Sequence, residues 1–286
     1  MKSGMKRIVS ILAAVLFSGG IAGAQALTYL CIPDGSEELV LGAFCRDRFE
    51  SNLTRLSGSL WGLKTLEAKN AFLSQTLNFG KWSFDLSGKA YLSRKYDITN
   101  PKGVISGSFQ PYDISVSLGA TRKLDERIAV GVAGKFCHSV LARTYASNAF
   151  AADIHAEYLF RHGLLGIAVC NLGTPIKFGS TVNKLPLTLR AGGFWVPVEG
   201  LRLSGSADFV LEGSHLMLTA GARYTLKNIV FAQAGYHFAA TGQAPVPSYA
   251  SAGLGVHIAG FELSAVVLFA SEVLKLTPSV TLSYSF

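Results

Sequence analysis

Ten charged side chains carry most of the chemistry that this chain can offer: Lys89, Lys135, Asp153, Glu157, Arg190, Arg202, Asp208, Glu212, Arg223 and Glu262. They fall in or beside stretches where polar and apolar residues alternate, on the polar side of the alternation. Charges so placed either line a path or pocket, or pair across a narrow interior and hold it closed. Pairing is the simpler expectation, because an unpaired charge in a narrow interior is costly. Catalytic sets are not evident. A Gly-x-Ser-x-Gly elbow is absent, and spacing assigns no Ser/His/Asp group, so no catalytic residues and no enzyme are expected. His155, His237 and His257 lie in strand patterns, no two at ligand spacing, and the four cysteines (Cys31, Cys45, Cys137 and Cys170) lack metal-site spacing, so no metal is expected. Gly131 to Gly134 sit inside a strand pattern rather than between strand and helix, so they form no phosphate loop, and no cofactor is expected. Cys31 and Cys45 could pair or stay free; Cys137 and Cys170 read as lone thiols, buried or facing lipid.

The elements that position these charges are strands. In the last nine residues Pro278, Val280, Leu282, Tyr284 and Phe286 take one side, and Ser279, Thr281, Ser283 and Ser285 the other. Arg202, Ser204, Ser206 and Asp208 oppose Leu201, Leu203, Ala207 and Phe209; Asp153, His155 and Glu157 oppose Ile154, Ala156 and Tyr158. The clearest runs are 82–92, 114–121, 128–140, 152–160, 187–195, 201–211, 216–226, 230–238 and 261–269, and from Ser57 onward the count is about fourteen. Short links (Gly80, 124–126, 161–163, 197–200, 227–228, 259–260) alternate with mostly longer ones (95–107, 143–149, 173–184, 239–248, 270–277), with 212–214 as the short exception. That alternation predicts an all-β fold, a transmembrane up-and-down antiparallel barrel of about fourteen strands, with short turns in the periplasm and long loops outside.

Composition agrees. Charged residues are 15% of the chain, against about 25% in ordinary soluble domains, yet no run reaches the ~18 apolar residues of a membrane helix. A soluble sandwich would show the same alternation with its faces inverted; the link pattern, the terminal Phe286 and the low charge favour the membrane. Lys2, Lys6 and Arg7 precede the apolar run Ile8–Phe17, and A-x-A sites follow, which reads as a secretory signal cut near Ala24 or Ala26. The net charge of +8 then falls to about +5, too modest to suggest nucleic acid as a partner. The expected domains are a signal peptide (1–24), a short periplasmic or plug-like segment (25–56) and an outer-membrane barrel (57–286). Trp61, Trp82, Trp195, Tyr158, Tyr224, Tyr236, Tyr284 and Phe286 read as interface aromatics, and Tyr284 and Phe286 as the membrane-assembly signal. The expected location is the cell outer membrane.

From Tyr112 onward the chain resembles the PorV/PorQ family of the type IX secretion system, which belongs with the FadL-like outer-membrane barrels. The resemblance rests on ordered blocks: Tyr112-Asp113-Ile114-Ser115-Val116-Ser117-Leu118-Gly119, then Arg122-Lys123-Leu124, then Ile128 to Val132. Ser147 to Asp153, Asn171-Leu172-Gly173, Ile176-Lys177-Phe178 and Leu185-Pro186-Leu187-Thr188-Leu189-Arg190 follow, and Leu276 to Phe286 closes the series. The resemblance implies a fourteen-stranded barrel that binds or shuttles secreted cargo at the cell surface. Cargo proteins or secretion-system subunits are then expected partners, beside outer-membrane lipid. Transport of a hydrophobic small molecule in the FadL manner is the alternative, and a purely structural barrel a third reading. The family's amino-terminal elements are reduced here to Leu41-Gly42-Ala43-Phe44 and Asn52-Leu53-Thr54-Arg55-Leu56. A plug this short is expected to fall short of the lumen centre, which weighs against transport.

Overall fold

The computed structural model describes residues 27–61, 67–99, 104–143, 145–241, 243–270 and 276–286. The signal-peptide reading lies outside the described residues. Fourteen strands close into one antiparallel barrel: β1 (Leu53–Trp61), β2 (Ala68–Phe79), β3 (Trp82–Leu92), β4 (Tyr112–Lys123), β5 (Ile128–Ala142), β6 (Tyr145–Phe160), β7 (Gly163–Gly173), β8 (Thr188–Val198), β9 (Leu201–Val210), β10 (His215–Leu226), β11 (Val230–Ala239), β12 (Tyr249–Ile258), β13 (Phe261–Ala270) and β14 (Leu276–Ser285). Each strand pairs with its sequence neighbours, and β14 closes on β1 from Leu53↔Ser285 to Ser59↔Ser279. Closure leaves the barrel wall without an unpaired edge.

Period-two alternation decides which way every side chain points. On β14, Ser279, Thr281 and Ser283 are buried inward while Val280, Leu282 and Tyr284 are exposed. Outward Leu73, Leu118, Ile167 and Leu254 are each more than half exposed, part of an apolar belt around the whole wall. No soluble domain leaves an apolar surface of that extent uncovered.

The six links at one end, after the even-numbered strands from β2 to β12, are turns of two to four residues. At the other end two links fold into small hairpins, one pairing Tyr96–Thr99 with Ile105–Phe109 and the other Ile176–Phe178 with Thr181–Asn183. The expected long link at 143–149 is not there. Strand pairing runs on to Ala142↔Tyr145, because small and polar residues at 146–149 continue the ladder instead of breaking it. Strand β1 also begins four residues before the expected Ser57.

Residues 27–52 differ most from expectation. They do not fall short of the lumen; they enter it and pack against its wall. A 3-10 turn (Thr28–Cys31) leads through Pro33-Asp34-Gly35 into a six-residue helix, α1 (Ser36–Leu41), which packs inside the barrel against β9 to β14. Two glycines make this approach possible. A Cβ at Gly221 or Gly235 would overlap the Val40 carbonyl oxygen. The helix ends at Gly42, whose φ of 78° lies in the left-handed region that favours glycine.

Candidate functional site

The lumen and its plug form the site, and its two halves are built differently. Toward the short-turn end the plug is held by ion pairs. Glu37 of α1, 4% exposed, meets three guanidinium groups: Arg46 Nη2 at 2.7 Å, Arg202 Nη1 of β9 at 3.3 Å and Arg223 Nη1 of β10 at 3.4 Å. Arg223 also lies 3.4 Å from Glu262 of β13 and donates to Gln233 Oε1. Arg46 lies 3.6 Å from the same Glu262. On the opposite wall Arg48 reaches Glu157 of β6 at 2.8 Å and Asp85 of β3 at 3.0 Å, and donates to Thr121 Oγ1. Arg55 of β1 pairs with Glu38, and Lys89 of β3 pairs with Asp34 at 2.9 Å while donating to the Ile32 carbonyl. Two pairs stay within the wall: Lys135–Asp153 at 2.6 Å and a two-pronged Arg190–Asp208 contact at 2.8 Å.

Nine of the ten charges singled out in the sequence therefore face the lumen, and five of these, Lys89, Glu157, Arg202, Arg223 and Glu262, hold plug residues directly. Glu212 sits apart, in the β9–β10 link, where it accepts from the Leu187 amide at 2.9 Å. Their plug partners Asp34, Glu37, Arg46 and Arg48 were missed, as was the Arg55–Glu38 pair. The available signal was density: seven of the seventeen residues from Asp34 to Glu50 are charged, in a chain otherwise poor in charge.

Electrostatics on the plug follow from this arrangement. Burial works against ionisation of Glu37, but Arg46, Arg223 and Arg202 outweigh it and hold the carboxyl well below the usual carboxylate range. Burial likewise opposes ionisation of Asp34, and Lys89 overcomes it, so that carboxyl too is depressed. Burial pushes the Cys31 thiol up to about 12 and the Cys45 thiol well above its ordinary value. All four cysteines are free and buried, so the pairing left open for Cys31 and Cys45 is not formed, and neither Cys137 nor Cys170 faces lipid.

Toward the long-loop end the plug is held by an apolar cluster, with the Arg190–Asp208 pair beside it at the level of Met217. Tyr29, Leu39, Val40 and Leu41 of the plug pack with Trp61, Met217, Tyr249, Val266 and Leu268 of the wall. Ile176, Leu185 and Val246 fold in from the loops and roof this cluster. Tyr249 donates its hydroxyl to the Leu39 carbonyl at 3.0 Å and stacks on His237 at 4.8 Å. Trp61 was expected at the membrane interface. It is instead 4% exposed and points inward, because it shares a face with buried Ser57 and Ser59, and its Nε1 donates to Ser59 Oγ. The other expected interface aromatics are all exposed on the outer surface. Phe261, Tyr284 and Phe286 stack in series at 4.4 and 5.6 Å, and the Phe286 backbone bonds Asn52 in both directions.

Beside the plug lies a cavity of about 1020 Å³. Arg48, Arg55, Asp85, Glu157 and Arg223 line its flanks, and Leu201, Asn228 and Ser285 place its mouth at the short-turn end. Asn171, from the Asn-Leu-Gly block of the family resemblance, is buried at φ 63° beside a register shift between β6 and β7. It accepts from Lys135 at 2.9 Å, and its amide donates to Asp153 at 2.8 Å.

No family model matches the chain, and no curated protein matches it. Solved structures do. The Pseudomonas putida toluene transporter TodX superposes with a TM-score of 0.59 at 11% identity, over 93% of this chain and 94% of TodX. The CymD monoaromatic hydrocarbon channel gives 0.57 at 11% identity, over 83% of this chain and 89% of CymD. A Pseudomonas aeruginosa FadL homologue gives 0.55 at 9% identity, over 83% and 91%. The protein is an outer-membrane β-barrel. At such identities the likeness is one of fold, and the apolar belt of this barrel independently requires lipid around it. The girdle of exposed aromatics near the short turns, Trp82, Phe84, Tyr158, Trp195, Tyr224 and Tyr284 among them, marks the barrel's lower membrane interface.

Proposed function

We propose that this barrel is a non-enzymatic channel that carries a hydrophobic small molecule across the outer membrane. The observation that carries the proposal is the apolar cluster at the long-loop end, where Trp61, Met217, Tyr249 and Leu268 of the wall pack on the plug. A lumen serving general polar solutes has no use for such a cluster. The proteins that share the fold include a toluene transporter and a monoaromatic hydrocarbon channel, which supports the same reading. The molecule would enter from outside beneath Ile176, Leu185 and Val246 and lodge against the plug. Passage then requires the plug to shift toward the cavity at the short-turn end. The test is accumulation of radiolabelled toluene, and of a labelled long-chain alkyl compound, by cells with and without the protein. Faster uptake of at least one compound with the protein supports the reading; equal uptake of both sinks it.

Type IX secretion, the first expectation from the sequence, becomes the second reading. What favours it is the PorV/PorQ resemblance together with the two hairpins beyond the barrel rim, which expose Val104, Ile105 and Val182 to a potential protein partner. Co-purification of secreted cargo or translocon subunits would support it. Normal secretion on deletion of the gene would exclude it.

A further inference from the structure

The two flanks of the barrel differ at the long-loop end. The links after β3, β5 and β7 carry five exposed cations, Arg94, Lys95, Arg143, Lys177 and Lys184, against one exposed acid, Asp97, among their described residues. The links after β9 and β11 carry no cation among theirs and one acid, Glu212. The hairpins lean these cation-bearing links onto the adjacent ends of β5 and β6. Tyr96 donates its hydroxyl to the Leu141 carbonyl, which sets the first hairpin against the end of β5. The Lys177 amide donates to Ser147 Oγ, which sets the second against β6.

Directly below these cations the outward face changes character. Tyr112, His138 and Asn148 form a polar ledge on three adjacent strands. His138 Nδ1 lies 2.7 Å from Asn148 Oδ1, and the Tyr112 and His138 rings are 6.1 Å apart. Beneath the ledge the surface is apolar, with Ile114 exposed and Phe136 and Phe150 packed at 5.3 Å. A notch of about 220 Å³ opens beside the ledge, lined by Ala90, Leu92, Gln110, Tyr112, Asp113 and Ile114. From the membrane centre outward, this flank therefore presents apolar contact, then hydrogen-bonding groups, then positive charge.

We infer that this flank binds one phosphorylated glycolipid of the outer leaflet. An acyl chain occupies the notch, the amide and sugar groups meet the ledge, and the phosphate meets Lys95, Arg143 and Lys177. The three chemistries of such a lipid follow one another in the same order as those of the flank. A zwitterionic phospholipid supplies no net negative charge to match the cations. The inference does not depend on what crosses the lumen.

The test uses the full barrel in neutral detergent, with purified phosphorylated lipid A and the same lipid stripped of phosphate as probes, read by native mass spectrometry. The wild type should prefer the phosphorylated lipid by at least about tenfold, since each cation near an anionic lipid surface contributes roughly fivefold. The triple variant Lys95→Gln, Arg143→Gln, Lys177→Gln should lose that preference. Ala90→Phe, which fills the notch, should weaken binding of both lipids. Lys227→Gln, at the opposite end, should change neither. Equal binding of the two lipids by the wild type, or an unchanged preference in the triple variant, overturns the inference. Because the substituted cations are exposed, loss of fold does not stand in for loss of binding, and the native charge-state distribution of each variant checks this directly.

Discussion

The outer and inner halves of the lumen hold the same plug by opposite means. In the outer half Tyr29, Leu39 and Leu41 are held by packing against Trp61, Tyr249 and Leu268. In the inner half Asp34, Glu37, Arg46 and Arg48 are held by ion pairs to β3, β6, β9, β10 and β13. Packing is indifferent to salt and direction, so the outer half can accept an apolar molecule in place of part of the plug. Ion pairs are directional and costly to break singly, so the inner half fixes where the plug sits. The difference implies that an apolar ligand competes with the outer contacts while the inner contacts determine how far the plug must be driven.

Four substitutions or conditions test this division, in falling order of effect. Glu37→Ala leaves three arginines around an empty centre and should weaken plug docking by about 3–5 kcal/mol. The measurement is protease or hydrogen-exchange access to residues 27–52, and unchanged protection would mean that the inner pairs do not hold the plug. Leu39→Ala should cost about 2–4 kcal/mol through lost packing and loosen the outer stretch while protection around Arg48 persists; uniform loosening would show that the halves act as one. Gly221→Ala pushes a methyl into the Val40 carbonyl and should cost about 1–3 kcal/mol, displacing α1 without touching a charge. Changing pH from 8 to 5 should leave the Glu37 and Asp34 pairs intact. The stabilisation from a depressed carboxyl is fully present above its ordinary value and is lost only as pH falls through the depressed one. Glu37 and Asp34 should therefore stay ionised throughout that window. Loss of protection around Glu37 at pH 5 would contradict its pairing.

How much of this was legible in the sequence depended on the range of the interaction. The strands were legible because alternation is local: Trp82–Leu92 and Leu201–Val210 can be read from their own residues. The lumen-facing charges were legible for the same reason. Their partners were not, since Arg48 and Glu157 are 109 residues apart and Glu37 and Arg202 are 165 apart. The plug was hidden because α1 has six residues, too few for a helical period to show, and Gly221 and Gly235, which admit it, look like ordinary strand glycines. Trp61 misled because an aromatic at a strand end suits either face, and only the inward pairing of Ser57 and Ser59 decides between them. The order of functional readings also changed, because the short amino-terminal segment reads as a missing plug until its contacts are seen.

The most direct test of the account is to lock the plug. The Thr281 hydroxyl lies 3.0 Å from Ser36 Oγ, which places the two side chains within reach of a disulfide. In the variant Ser36→Cys, Thr281→Cys, oxidation should reduce uptake of labelled toluene at least about tenfold, and a reductant should restore it. Uptake that proceeds unchanged through the oxidised barrel would contradict a path through the plugged lumen.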